Sequence, residues 1–174
     1  MGNEKRPSLG RLLPALPAFA FSLSCLAYAW RFDRYSCKTF SFLWEENGMS
    51  EAFAGKIEAA MILLLLLSAI CIWIKPARWI SLAGAAVMIS EMLSETFMPS
   101  AKYPMLYWAE WALRCSTPLI AILLFQARDK SNIWSARFMR LAIAFVFVGH
   151  GVKALLADPQ FIDYLLVTFR RIGM

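Results

Sequence analysis

Ile57-Glu58-Ala59-Ala60-Met61-Ile62-Leu63-Leu64-Leu65-Leu66-Leu67-Ser68-Ala69-Ile70-Cys71-Ile72-Trp73-Ile74 is the stretch that decides the fold of this chain. Nothing ionisable occurs between Ala59 and Ile74, and the apolar run is continuous rather than confined to one face. A helix that is apolar all round has no face to offer water, so its surroundings are protein or hydrocarbon. At about 1.5 Å rise per residue, a stretch of about 20 residues crosses the roughly 30 Å hydrocarbon core of a bilayer. The stretch reads as a membrane span.

Working outward, the same pattern recurs on both sides of it. The apolar segments fall at 12–30, 57–74, 79–98, 104–126 and 139–157, with short polar or basic stretches between them. Of the 174 residues 60% are hydrophobic and 17% charged, whereas soluble domains run at roughly 45–50% and about 25%. The expected fold is all-α: one polytopic transmembrane bundle of four to five spans, forming a single domain over residues 1–174. Asn47-Gly48 predicts a turn, and Ser50 an N-cap for the helix after it. Lys75-Pro76-Ala77-Arg78 predicts a tight basic turn whose proline opens the third span. Pro99 closes that span and Pro104 opens the fourth. Pro118 predicts a kink there, with Ser116 and Thr117 able to satisfy freed backbone groups. Residues Arg128 to Arg140 read as a basic loop, and the tail from Gln160 is amphipathic, ending in Arg170-Arg171.

The first segment has a basic start, an apolar centre and the small-residue site Ala27-Tyr28-Ala29, as a signal peptide has. Pro14 and Pro17 interrupt it and the apolar run is long for such a leader, so it is read as an uncleaved helix. The stretch from Arg31 to Gly55 is amphipathic, with Phe32, Tyr35, Phe40, Phe42 and Trp44 among its polar residues, as suits a membrane–water interface.

The net charge of +6 sits at the ends of the apolar segments rather than on one face, which argues against nucleic-acid binding and for orientation signals. Lys5, Arg6, Arg11, Lys75, Arg78, Arg128, Lys130, Arg137 and Arg140 gather on one side, against Arg31, Arg34, Lys38, Lys56, Lys102, Arg170 and Arg171 on the other. The bias predicts a multi-pass protein of the cell (inner) membrane with its N-terminus in the cytoplasm. Its partners would be the lipid bilayer and other membrane subunits. The four cysteines, Cys25, Cys37, Cys71 and Cys115, form no Cys-x-x-Cys pair, so neither a zinc site nor a redox dithiol is encoded. Cys25, Cys71 and Cys115 read as small core hydrophobes and Cys37 as a lone loop residue.

Six ionisable residues interrupt the last three spans: Glu91 and Glu95, Glu110 and Arg114, and His150 and Lys153. Each of the first two pairs is four residues apart and therefore on one helix face. A charge at a span's centre costs about 2.5–3.5 kcal/mol on the mildest insertion scale, so such residues mark function by default. If the three stripes face a common interior, they form one polar cluster in the outer half of the bundle. Plainer readings exist for each member. Glu110 and Arg114 can be an intrahelical ion pair, and Glu95 and Lys153 can reach the headgroups. His150 can be a hydrogen-bonding helix partner, with Gly149 and Gly151 admitting a close neighbour. As the single histidine it cannot supply bis-histidine haem ligation, and no metal-ligand set is encoded. A proton relay, an anionic headgroup site and a quinone head-group site all suit the cluster.

The stretch from Arg140 through Phe145, Gly149-His150-Gly151 and Lys153 to Leu155 resembles the signature of DoxX-like membrane proteins, in which an Arg begins a helix that ends in a His-Gly-x-x-Lys-like pattern. Asp158-Pro159-Gln160-Phe161-Ile162-Asp163-Tyr164-Leu165 is similar to its continuation. The likeness covers about thirty residues at the C-terminal end. In the family the signature lies on the first helix, whereas here it lies on the last. The resemblance implies a compact four-helix bundle and, in some relatives, association with quinone-linked or thiol-linked redox systems. Three functions follow as expectations. The first is an accessory subunit of a membrane redox system that binds a quinone or similar lipid at the polar cluster. The second is a non-catalytic assembly or scaffold protein, and the third a small proton-coupled transporter, against which missing inverted repeats and broken helices weigh. No nucleophile–base motif or phosphate loop marks an autonomous enzyme.

Overall fold

Prolines, caps and a glycine turn divide the apolar runs into helices, and the chain passes back and forth through a bundle. The computed structural model describes residues 15–99, 101, 103–126, 130–156 and 159–171. Lys5, Arg6, Arg11, Lys102, Arg128 and Asp158 lie outside the described residues, as do positions 12–14 and 157 of the expected spans. Among the described residues there is no strand, and the fold is all-α.

Helix α1 (Ala15–Arg34) leads into the short α2 (Lys38–Ser41) and a π-helical turn at Phe42–Glu46. Gly48 then takes a φ of +64°, the left-handed conformation that makes glycine the natural residue for this turn. Helix α3 (Glu51–Cys71) is capped by Ser50, whose hydroxyl accepts from the Phe53 N–H at 3.3 Å. A 3-10 helix, Lys75–Ser81, has proline in its first turn and runs directly into α4 (Leu82–Phe97). Then come α5 (Pro104–Gln126), α6 (Lys130–Leu155) and α7 (Pro159–Arg171). Four segments are long and apolar enough to cross a membrane: Glu51–Cys71, Lys75–Phe97, Pro104–Phe125 and Ile133–Leu155. Helix α1, of 20 residues, is about 30 Å long at about 1.5 Å per residue.

Several boundaries differ from the sequence reading, and two of them have a plain cause. The second span begins as a helix at Glu51, because the Ser50 cap starts it a turn and a half before the apolar run. The basic stretch read as a loop is helical from Lys130 onward. No glycine or proline occurs between Lys130 and Val148, so nothing breaks the helix before the apolar run begins. Around Pro118 both hydroxyls turn to one carbonyl, Thr117 Oγ1 at 2.5 Å and Ser116 Oγ at 3.2 Å from the Leu113 oxygen.

Helices α1, α3, α4 and α5 close a four-membered ring in which α1 packs on α3 and α5, and α4 packs on the same two from the opposite corner. Helix α6 docks outside the ring, chiefly on α5, and α7 touches the end of α6. The Arg78 guanidinium stacks 4.0 Å from the centre of the Phe125 ring. That contact places the basic 3-10 turn at the same end as the end of α5. Inside the ring, α1, α3 and α4 meet most closely at Gly84. A Cβ added there would lie 2.8 Å from the Ser68 Cβ and 3.0 Å from the tip of Phe21. Small residues at such crossings let helices pack where no hydrophobic effect drives association. The Ser68 hydroxyl is buried and has no hydrogen-bond partner among the described residues.

Replacing Gly84 by leucine is therefore expected to lower thermal stability in detergent strongly, since overpacking costs about 1–3 kcal/mol. Ser68→Ala, which removes only an unpartnered hydroxyl, is expected to leave the melting temperature unchanged or raise it. Equal losses for both variants would contradict this account of the crossing.

Candidate functional site

The six charged residues expected to form one cluster make their hydrogen bonds and ion pairs in three arrangements, with Glu95 still within electrostatic reach of Lys153 and Glu110. The first begins in the backbone of α2. A helix starts with N–H groups that have no partner within it. Here Lys38 N–H donates to Glu91 Oε2 at 3.1 Å, and Thr39 N–H to Glu91 Oε1 at 3.0 Å. The Cys37 N–H donates to Glu58 Oε1 at 2.6 Å, and the Phe40 N–H to the Cys37 thiol at 3.3 Å. The Thr39 hydroxyl lies 3.0 Å from Ser90 Oγ and accepts from Ser94 Oγ at 3.2 Å. Glu91, 1% exposed, is thus an anionic cap that fastens the segment after α1 to α4. It does not join Glu110, His150 and Lys153. Cys37 is buried too. Desolvation, followed by the nearby charge of Glu91, pushes its thiol well above its ordinary pKa and keeps it protonated.

The second arrangement faces α4 and α1. The Trp111 indole N–H donates to Glu95 Oε2 at 3.2 Å. Arg114 donates to the Tyr28 hydroxyl at 2.6 Å and lies 5.0 Å from the centre of the Trp111 ring and 5.7 Å from that of Tyr28. Arg114 is thereby turned toward α1, and the expected intrahelical pair gives way to a contact between helices. The guanidinium gains two aromatic faces and a hydroxyl there, a combination that holds a planar cation well.

The third arrangement joins α5 to α6. Glu110 Oε2 accepts from Lys153 Nζ at 2.9 Å, and Glu110 Oε1 lies 3.1 Å from His150 Nδ1. Lys153, only 6% exposed, also sits 4.3 Å from the centre of the Tyr107 ring. A Cβ on Gly149 would meet that of Ala109 at 2.9 Å, so glycine lets α6 come close enough for the Lys153–Glu110 ion pair and the His150–Glu110 contact. Gly151 faces open space.

Below these groups the structure contains a feature the sequence did not suggest. Because α6 packs on α5 beside α1, a cleft is left between α1 and α6 with α5 as its floor. It holds an apolar cavity of about 600 Å³ bordered by Leu16, Pro17 and Ala20 of α1, Ile120 and Leu124 of α5, and Ala136 and Ile143 of α6. A second cavity, of about 340 Å³, lies further along the same side of α1, lined by Ser24, Ala27, Tyr28 and Arg31 with Arg114 of α5. The heptad steps Ala136, Ile143 and His150 on α6, and Leu124, Thr117 and Glu110 on α5, run from the apolar cavity to the ion pairs. Arg114 and Tyr28 border the smaller cavity, and the α5–α6 contacts of Glu110 lie one heptad step beyond Thr117 and Ile143.

Glu58, Tyr28 and Trp111 were not among the site residues expected from the sequence. The two aromatics had a legible signal, since a Tyr or Trp within a span needs a partner for its polar tip. Glu58 had one too, as an acid in the first turns of an otherwise apolar helix. Among the described residues no group of three or more His, Cys, Asp or Glu side chains is placed to hold a metal ion. No family model matches the chain, and no curated protein or solved structure matches it either.

Removing the anionic cap with Glu91→Ala leaves two N–H groups without acceptors, at about 1–3 kcal/mol each. Cys37 is then expected to react with a maleimide in folded protein where the parent thiol does not, read against a Cys37→Ser control. Glu110→Ala is expected to cost about 3–5 kcal/mol because it strands the buried Lys153 charge. Adding Lys153→Ala should recover most of that loss in the thermal unfolding midpoint, and a purely additive double variant would count against the pairing.

Proposed function

We propose that the chain is a multi-pass accessory subunit of the cell membrane that holds a long-tailed amphiphile, a quinone or another lipid, in the cleft between α1 and α6. The observation that carries this reading is an apolar cavity of about 600 Å³ among α1, α5 and α6, with a smaller cavity lined by Tyr28, Arg31 and Arg114 further along α1. Ligand pockets are mostly apolar with a few convergent polar groups that fix orientation, and they form readily between the helices of bundles. Further along α1, Arg31, Arg114 and Tyr28 line the smaller cavity and bring polar groups to that side of the cleft.

The link to a redox system rests on the DoxX-like resemblance of Arg140–Leu155, whose Gly149, His150 and Lys153 are the residues of α6 that meet α5 and its Glu110. The positive-inside rule places the end with Lys75, Arg78, Arg137 and Arg140 in the cytoplasm, which puts the polar end of the cleft on the outer side.

The test is an organic extract of detergent-purified protein with mass analysis of the retained lipids. The parent protein is expected to carry a quinone or other long-tailed lipid in stoichiometric amount, and Ala20→Phe, which fills the cavity from α1, is expected to lose it. A protein that retains only bulk lipid would overturn the reading and leave assembly of a larger membrane complex as the function to pursue.

A further inference from the structure

We propose that α7 lies in the membrane surface, with its apolar face sunk among the lipid chains and its arginines at the phosphates. The helix comprises 13 residues, Pro159–Arg171. At about 1.5 Å per residue it is about 20 Å long, too short for the roughly 30 Å hydrocarbon core. Steps of three and four residues place Ile162, Leu165, Leu166 and Phe169 on one face. Asp163, Arg170 and Arg171 fall on the other, with Val167 among them. An apolar stripe on a surface helix needs cover. The protein does not supply it, since among the described residues α7 packs chiefly on α6, and Leu166 and Phe169 are 61% and 46% exposed.

What covers the face follows from where the helix starts. The apolar segment of α6 that is long enough to cross a membrane ends at Leu155, and α7 begins at Pro159. Its first turn is therefore beside the bilayer boundary. Leu155 and Leu156, which lead into it, are themselves exposed, as suits lipid and not water. A helix with this division of faces settles with its apolar side about 5–10 Å into the boundary between headgroups and chains. Arg170 and Arg171 in its last turn then extend to the phosphates, as long basic side chains do. Phosphates are common to zwitterionic and anionic lipids, so the partner is the bilayer surface and not one headgroup. A protein occupant fits less well. A helix about 20 Å long and about 10 Å wide has a footprint far below the roughly 800 Å² that each partner gives to a stable interface. The bilayer thereby holds the far end of α6, a helix that the protein fastens chiefly through α5.

The experiment places one spin label at a time, through Asp163→Cys, Leu166→Cys, Phe169→Cys or Arg170→Cys, in full-length protein in nanodiscs of phosphatidylcholine and phosphatidylglycerol. Cys71 and Cys115, which are half-buried, are replaced by serine throughout, and Cys25 and Cys37 are buried. The same background without a new cysteine gives the blank. All four positions are exposed, so the bundle is expected to keep the melting temperature of that background. Collisions with lipid-soluble oxygen and with a water-soluble nickel chelate then give the depth of each label. Labels at positions 166 and 169 are expected about 5–10 Å below the phosphates, and those at 163 and 170 at their level or above. Nickel reaching all four positions alike would overturn the proposal and leave α7 standing in water. Labels at 166 and 169 shielded from both reagents would overturn it as well, in favour of a second copy or another protein on that face.

Discussion

Backbone N–H groups removed from water must find acceptors within the protein, and in this molecule the requirement is sharpest at the start of α2. Four successive amides, from Cys37 to Phe40, are satisfied by the carboxylates of Glu58 and Glu91 and by a thiol. Those acids come from α3 and α4, so a segment that follows α1 is tied to the next two helices at one end of the bundle. At Gly84, α1, α3 and α4 are drawn together again by close packing. Between those points the ring is held mainly by apolar contact, with the Arg114–Tyr28 hydrogen bond among it.

The other half of the architecture turns on α5. Successive residues along one stretch of this helix serve three neighbours: Glu110 meets α6, Trp111 meets α4, and Arg114 meets α1. A helix so placed can accept a fifth member from outside the ring, and α6 takes that position with its two ion pairs and a glycine contact. Because α6 is held from one side, it does not close against α1. The cleft is thus a by-product of how α6 is fastened.

Much of this was legible in the sequence, and the reasons are physical. Continuous apolar runs leave a chain no option but hydrocarbon or a fully buried core, and Gly48, Ser50 and Pro76 punctuate them as their chemistry demands. The helical start of α6 was hidden because charged residues near the end of a membrane helix look like those of a loop. The polar residues named from the sequence make their hydrogen bonds in separate groups. Spacing shows which residues share a face of one helix, and it is silent on which neighbour that face meets. Glu91 was read as part of a site when its carboxylate is engaged by backbone amides, a partner that no side-chain pattern reveals. The cleft was invisible for a related reason, since a gap between helices is made by residues that do not touch.

The cleft between α1 and α6 opens sideways, with Leu16 68% and Ile143 37% exposed at its rims. A molecule already dissolved in the bilayer reaches such an opening by diffusing in two dimensions, without crossing water and without any helix having to move aside. Confinement to the membrane also concentrates the ligand, as tethering does for linked binding partners. For the amphiphile proposed to occupy it, modest intrinsic affinity would then suffice for high occupancy. The same sideways route would let it leave, which would suit a site that hands a molecule on rather than one that stores it.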